Sequence, residues 1–384
     1  MILSFFDDNK ISDLYPLTLT RPAADLRCGI FTIAEKWKRD LRASDFGFES
    51  AAYLNSKFSA VVNPHFRING RLLPNPALLA AIQRMQAGNK LVYQGTLIAE
   101  MPGENATETE IGFEVTWIQR PFDIFRLLQQ EIPLDLVRMD GDIQPQTASE
   151  TNRIFGSYPV YIDSGAKVEC AVLNATTGPI YIGKNCEVME GSLIRGPFAM
   201  MEGSVIKLGA KVYGATALGP YSVIGGEVNN IQVQGYSNKG HDGFLGNAVI
   251  GEWCNIGADT NCSNLKNTYD EVKVWNYSSG KFEKSGQQFC GLIMGDHSKC
   301  GINTMFNTGT VVGVAANIFG SGFPRQFIPD FAWGGASGFT TYKLDAAFKT
   351  AAMVMPRRKK EFDKSEEEIL SEVFENTKGW RNWE

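Results

Sequence analysis

The chain has 384 residues, more than one hydrophobic core usually serves, so two domains are expected. A net charge of −5 without any long basic tract excludes a general binder of nucleic acid or acidic membranes; Arg357, Arg358, Lys359 and Lys360 form only a short run, read as a solvated helical face. No apolar run approaches the ~20 residues of a membrane span, Met1-Ile-Leu-Ser-Phe-Phe-Asp-Asp has no signal-peptide pattern, and seven cysteines without a C-x-x-C read as reduced, packed thiols, so a cytoplasmic location is expected.

In chain order, Ile2 to Phe6 reads as a strand ended by Asp7-Asp8-Asn9, and Leu14 to Trp37 as a proline-marked loop leading into a helix. A strand and turn follow over Val61 to Pro74, an amphipathic helix over Asn75 to Gln86, a strand over Lys90 to Glu100 and a polar loop over Gly103 to Thr109. Arg138 to Ile154 is polar and aperiodic and is read as a linker, after which Val160, Ile162 and Val168 begin an irregular coil.

From Ile182 an apolar residue returns every six positions, at Val188, Ile194, Met200, Ile206, Val212, Leu218 and Ile224, with a mostly small residue four places on, at Cys186, Ser192, Phe198, Ser204, Ala210, Thr216 and Ser222. Six fits neither a helix nor simple strand alternation; it is the repeat of a left-handed parallel β-helix, one hexapeptide per side of a triangular coil, apolar position inward and small position at the corner. The rhythm returns at Phe244, Ile250, Ile256 and Cys262, and again from Met294 through Cys300, Phe306 and Val312 to Ile318. Two insertions, Gly225 to Gly243 and Ser263 to Ile293, carry dense polar chemistry and are expected to leave one edge as a binding surface. Ile328-Pro-Asp-Phe-Ala-Trp-Gly-Gly reads as a closing loop. Helical spacing follows from Tyr342, broken at Pro356, and Ser365-Glu-Glu-Glu is read as the cap of a last helix. The expected domains are an α/β unit at 1–140, the coil at 155–338 and a helical segment at 339–384.

Pro16-Leu17-Thr18 and Arg21-Pro22 resemble the opening of sugar-1-phosphate nucleotidyltransferases, and Arg120-Pro-Phe-Asp resembles the segment leading out of that domain. The glycine-rich phosphate loop of those enzymes is replaced by Asp7-Asp-Asn-Lys-Ile-Ser-Asp, and their lysine after the proline by Ala23. The resemblance implies a shortened nucleotidyltransferase-like domain in which Arg21, Arg27 and Lys36 hold a nucleotide phosphate and Asp7 or Asp8 lies near Mg²⁺, with UTP as substrate. The alternative is that these are surface and capping charges on a degenerate domain.

Lys239-Gly240-His241, followed without a gap by Asn255 and Asn264, resembles the acetyltransferase half of the bifunctional N-acetylglucosamine-1-phosphate uridylyltransferase and glucosamine-1-phosphate N-acetyltransferase family, in particular a bacterial variant of it. The resemblance implies a homotrimer using acetyl-CoA, with His241 as the catalytic base, an acceptor site of Tyr236, Asn238, Lys239, Asn255, Asn264 and Lys266, and cofactor contacts at Ala258, Ile302 and Gly320. Phe244 and Leu265 stand where the family has acceptor-binding tyrosines. The chemistry suits the residue types: only a free amine attacks a thioester, so a base with pKa near neutrality is needed, and a main-chain N–H can hold the developing oxyanion without a metal. His297 is read as a coil-surface residue and His65 as a bystander. Two other readings remain open: a nucleotidyltransferase whose coil serves assembly or regulation, and a non-catalytic sugar-nucleotide-binding protein.

Overall fold

The computed structural model describes residues 1–104 and 106–383; Asn105, in the polar loop expected from Gly103, and Glu384, the last residue of the expected helical segment, lie outside the described residues. The N-terminal α/β domain is built from β1 (Ile2–Phe6), α1 (Ile33–Asp40), β2 (Asp45–Glu49), β3 (Phe66–Asn69), β4 (Leu72–Leu73), α2 (Pro76–Gln83), β5 (Asn89–Tyr93), β6 (Thr96–Glu100), β7 (Thr107–Glu110), β8 (Thr116–Trp117) and α3 (Asp123–Arg138). Its main sheet has the order β2-β1-β3-β6-β5-β7, with β1 parallel to both neighbours and β6 antiparallel to both of its own. The single strand expected over Lys90 to Glu100 is a hairpin, because Gln94 and Gly95 both adopt positive φ (50° and 73°) and reverse the chain. Part of the expected loop is the edge strand β7, paired with β5.

The coil is a parallel solenoid with three faces. Its second face carries an inward column of Ile162, Ile182, Met200, Leu218, Val233, Ile250, Met294, Val312 and Ile328, each hydrogen-bonded strand in register with the next. All are buried, and each such side chain contributes about 1.5–3 kcal/mol of transfer free energy. Small corner residues fit because their hydroxyls meet backbone: Ser204 donates to the Gly219 carbonyl (3.0 Å) and accepts from the Ser222 N–H (3.2 Å). Cys186, Cys254, Cys262 and Cys300 fill buried coil positions as free thiols.

Gly225 to Gly243 does not leave the coil. The strand Glu227–Gly235 bends around a corner and serves two faces, and Val233 pairs with Leu218. The rung is fifteen residues long (233 − 218) instead of eighteen, which hid it from a strict six-residue count. One rung later Leu245, not Phe244, points inward at 3% exposure. Ser263 to Ile293 is a true excursion, a hairpin of Lys273–Asn276 and Lys281–Lys284, but it docks instead of opening a surface. Asn276 donates to Asp13 (3.2 Å), Arg120 pairs with Glu283 (2.7 Å), and Trp275 stacks on Phe327 at 4.2 Å.

The two domains share one hydrophobic core: Tyr181, Ala199, Ala217, Val249, Ile293 and Val311, outward on the second face, pack in the same cluster as Leu26, Ile30 and Phe125. The last rung ends in strand Ala332–Gly335, capped by the antiparallel strand Gly338–Thr341. Helices α4 (Leu344–Val354) and α5 (Lys364–Asn376) follow, joined through a 3₁₀ turn at Met355–Arg358. Asp363, not Ser365, caps α5, accepting from the Glu366 N–H (3.1 Å). Among the described residues no helix is long and apolar enough to cross a membrane.

Candidate functional site

The corner between the third and first faces gathers four of the sequence-derived site residues on consecutive rungs. His241 is exposed in the bend after Asn238–Lys239. The next rung brings Ala258, tied by Asp259 N–H to Asp242 C=O (3.0 Å); the one after brings Ile302, with Asn303 N–H on Ala258 C=O (2.8 Å); Gly320 follows beside Phe319. At one strand spacing per rung, His241 and Gly320 are about 14 Å apart along the edge. Gly243 fixes the bend: its φ is +108°, and a Cβ there would lie 2.1 Å from the Thr260 carbonyl oxygen. Ile302 is 69% exposed, an apolar side chain held out on the column.

The acceptor set divides. Asn238, three residues before His241, and Asn255 lie side by side on the third face, 2.9 Å apart and one rung above the other. Lys239 does not join them. It occupies an inward position, in line with Ile224, at 2% exposure, and its ammonium donates to the carbonyls of Gly225 (2.9 Å), His241 (3.0 Å) and Gly243 (2.8 Å). Burial pushes its pKa down to about 8 against the pull of Asp242 and Asp259. A lysine so enclosed holds the bend together and does not reach a sugar phosphate.

Tyr236 sits at the opposite end of the third face, stacked on Trp253 at 4.4 Å. Asn264 donates to Asn247 (2.8 Å) and Lys266 to the Glu271 carbonyl (2.7 Å), both at the stem of the hairpin excursion across the first face. Within one chain these two do not meet His241. His297 is buried, and burial, together with the charges of Lys299 and Lys57, depresses its pKa well below the ordinary imidazole value.

The residues carried over for a nucleotide are consumed internally. Arg21 is buried and pairs with Asp296 (2.7 Å), Glu252 (3.0 Å) and Asp25 (3.0 Å), so the Arg21-Pro22 segment fastens the α/β domain to the coil. Burial opposes its charge, but these carboxylates outweigh burial and raise its pKa. Arg27 donates its backbone N–H to Gln234 (2.7 Å) and receives Gln234 on its carbonyl (2.9 Å), while its guanidinium turns to Ile30 and Glu35. Lys36 is fully buried between Glu131 (2.7 Å) and Asp135.

The two aspartates are likewise engaged inside the chain. Asp8 is held by Arg71 and Asn69, which outweigh burial and lower its pKa. Asp7 accepts from the Ala23 N–H (3.0 Å), and burial pushes its pKa to about 7. Among the described residues no group of three or more His, Cys, Asp or Glu side chains converges as metal ligands.

Sequence reasoning missed a second cluster. Lys299 lies in register with Asn255 on the third face, and Arg357 and Arg358, read as a solvated helical face, line one groove with it, Tyr236 and Trp253. The signal was the recurrence of Tyr221, Tyr236, Trp253 and His297 at one corner, disguised by unequal rung lengths.

Comparison with known proteins covers the chain piecewise. Residues 3–141 match the model of the family described as Sugar nucleotidyl transferase. The chain is 33% identical over 93 residues to the bifunctional sugar-1-phosphate nucleotidylyltransferase/acetyltransferase of Sulfurisphaera tokodaii, covering 24% of this chain and 23% of that one. It is 40% identical over 73 residues to bifunctional protein GlmU of Methanocaldococcus jannaschii, covering 19% and 17%. The matched stretches thus span about a fifth of the length of these curated relatives. Among solved structures, LpxA, a UDP-N-acetylglucosamine acyltransferase from Bacteroides fragilis, aligns over 60% of this chain and 91% of its own at 13% identity, with a TM-score of 0.32.

Proposed function

We propose that the coil carries an acetyl-CoA-dependent N-acetyltransferase acting on a phosphorylated amino sugar, with His241 as general base. The observation that carries this reading is the single edge shared by His241, Ala258, Ile302 and Gly320, since a thioester laid along that column would bring its carbonyl to the imidazole. Acetyl-CoA supplies the activated acyl group. His241 takes the proton from the attacking amine as the N–C bond forms and the C–S bond breaks; Asn238 and Asn255 orient the sugar hydroxyls; the main chain at Ala258 offers an N–H to the oxyanion. Asn264 and Lys266 lie across the first face from His241, the separation expected of a site completed by a neighbouring copy in a homotrimer. The acceptor is read as glucosamine-1-phosphate or a derivative of it.

The reading is tested by free-thiol release from acetyl-CoA with glucosamine-1-phosphate, for the intact chain and for His241→Ala. A loss of about 10²–10⁴ in kcat is expected, without change in melting, because His241 is exposed. Equal thiol release by both proteins would refute the base assignment. A second reading, nucleotidyl transfer by the front domain, is favoured by the family match to residues 3–141 and opposed by the internal pairing of Arg21, Arg27 and Lys36. Calorimetric titration with UTP and Mg²⁺ decides it: no heat of binding leaves that domain as a docking element.

A further inference from the structure

The groove missed by sequence reasoning has the makings of an anion site. Its floor is the outward register of Asn238, Asn255 and Lys299 on the third face. One wall is the ladder of rings at the second-to-third corner, with Tyr236 on Trp253 at 4.4 Å and 10° between planes. The other wall is the end of α4 and the turn after it, Val354 with Arg357 and Arg358, and the groove volume is about 390 Å³. Lys360 reaches over the ring of Tyr236 at 5.9 Å.

The charge here is one-sided. Lys299 donates to the His297 carbonyl (2.8 Å) and Arg358 to the Tyr221 carbonyl (3.1 Å), and among the described residues no carboxylate forms an ion pair with Lys299, Arg357, Arg358 or Lys360. Glu252 and Asp296, on the same corner, are taken by Arg21. Burial lowers the pKa of Lys299, and burial together with Arg357 lowers that of Arg358. Two partly desolvated cations, Lys299 and Arg358, without a counter-charge are costly unless an anion joins them, and the exposed Arg357 stands beside them.

Position then selects the kind of anion. Both anchoring carbonyls belong to the second-to-third corner, and Tyr236 there is five residues from His241, roughly 15 Å along an extended strand. In an amino-sugar 1-phosphate the phosphorus and the amine are only a few bonds apart, so one such molecule does not touch both places. A nucleoside diphosphate joined to the reacting group does. We propose that this groove binds a nucleoside-diphosphate moiety, its phosphates on Lys299, Arg357 and Arg358. Two ligands carry that chemistry: an acceptor sugar already linked to a nucleotide, and the adenosine-diphosphate end of acyl-CoA. Only the direction of the ligand toward His241 rests on the acyltransfer reading; the binding does not.

The test is calorimetric titration of the intact chain with UDP, with CoA and with inorganic phosphate, for the native protein, the double variant Lys299→Gln/Arg357→Ala and, as an alternative should that pair fail to fold, Arg357→Glu alone. The expected result is binding of UDP or CoA that weakens at least tenfold in the variant, and that weakens with added salt. Loss for UDP assigns the groove to the acceptor, loss for CoA to the donor. Unchanged affinities for both, or binding of neither, overturn the inference. Thiol release separates the two readings: nucleotide binding by a native chain that releases no thiol refutes the acyltransfer reading alone, whereas His241-dependent thiol release with groove variants that bind as the native chain does refutes this inference alone.

Discussion

Lys239→Met offers the sharpest test of how the coil uses its polar residues. The native ammonium stands at an inward coil position and satisfies three carbonyls, so at pH 7 the variant loses three hydrogen bonds, each about 1 kcal/mol, and gains an uncharged side chain of similar length. The two effects nearly cancel at neutrality. They separate with pH. The folded chain releases the Lys239 proton near pH 8, the unfolded chain only near its ordinary value of 10.5, and between the two the unfolded state binds more protons, so native stability rises with pH relative to the variant. The slope approaches 1.4 kcal/mol per pH unit, and the whole gain is about 3 kcal/mol. Buried thiols such as Cys186 and Cys254, both pushed up to about 12 by burial, pull the other way above pH 9 but act equally in both proteins, so the difference is the quantity to measure. Urea melts of the two proteins at intervals from pH 7 to 10.5 provide it. A flat difference across that range would refute the buried-ammonium account, and a tenfold rise in acceptor KM for the variant with no change in stability would return Lys239 to the substrate.

Other consequences follow from the domain junction. Arg21→Ala leaves the buried Asp296 and the half-buried Glu252 without their cation and is expected to cost about 3–5 kcal/mol in chemical denaturation; a loss under 1 kcal/mol would mean that the junction is wetter than the contacts imply. Lys36→Met, by exposing Glu131 and Asp135 to each other, is expected to cost about 3 kcal/mol while leaving any UTP affinity unchanged, and a large affinity loss at constant stability would restore its phosphate role. Trp275→Ala removes the ring stacked on Phe327 and edge-on to Trp380 at 5.6 Å; a loss of about 3 kcal/mol and faster proteolysis within Lys273 to Lys284 are expected, and an unchanged digestion pattern would show that the hairpin does not depend on this clasp.

The coil was legible because each face demands one apolar and one small residue at fixed offsets, a constraint that survives almost any surface. It became illegible where rungs shorten: Ile224 aligns with Lys239, fifteen positions on, and a lysine at an inward position looks like an insertion. The edge bearing His241 was readable as a run of residues, but the partner of each cation was not. Arg21 and Lys36 find carboxylates at Asp296 and Asp135, far along the chain, and only tertiary packing reveals that these charges are already spent. The groove at Lys299 failed for the same reason in reverse, since its two walls are separated in sequence by the last turns of the coil and by α4.

The antiparallel strand Gly338–Thr341 has a consequence for self-association. A parallel coil can in principle grow by stacking one molecule's final rung on another's first, because a rung edge presents unpaired N–H and C=O groups. Here strand Ala332–Gly335 already has a partner running the opposite way, with Trp333 opposite Thr340 and Gly334 opposite Phe339. At the other end Gln146 donates its N–H to the Ile162 carbonyl (2.8 Å) and Asn152 covers the Val168 carbonyl (2.7 Å), so linker residues lie over two of the three opening strands. Both terminations come from the chain's own flanking segments, which makes the coil a finite rod; a fragment trimmed to the repeats alone would carry the open edges of a filament.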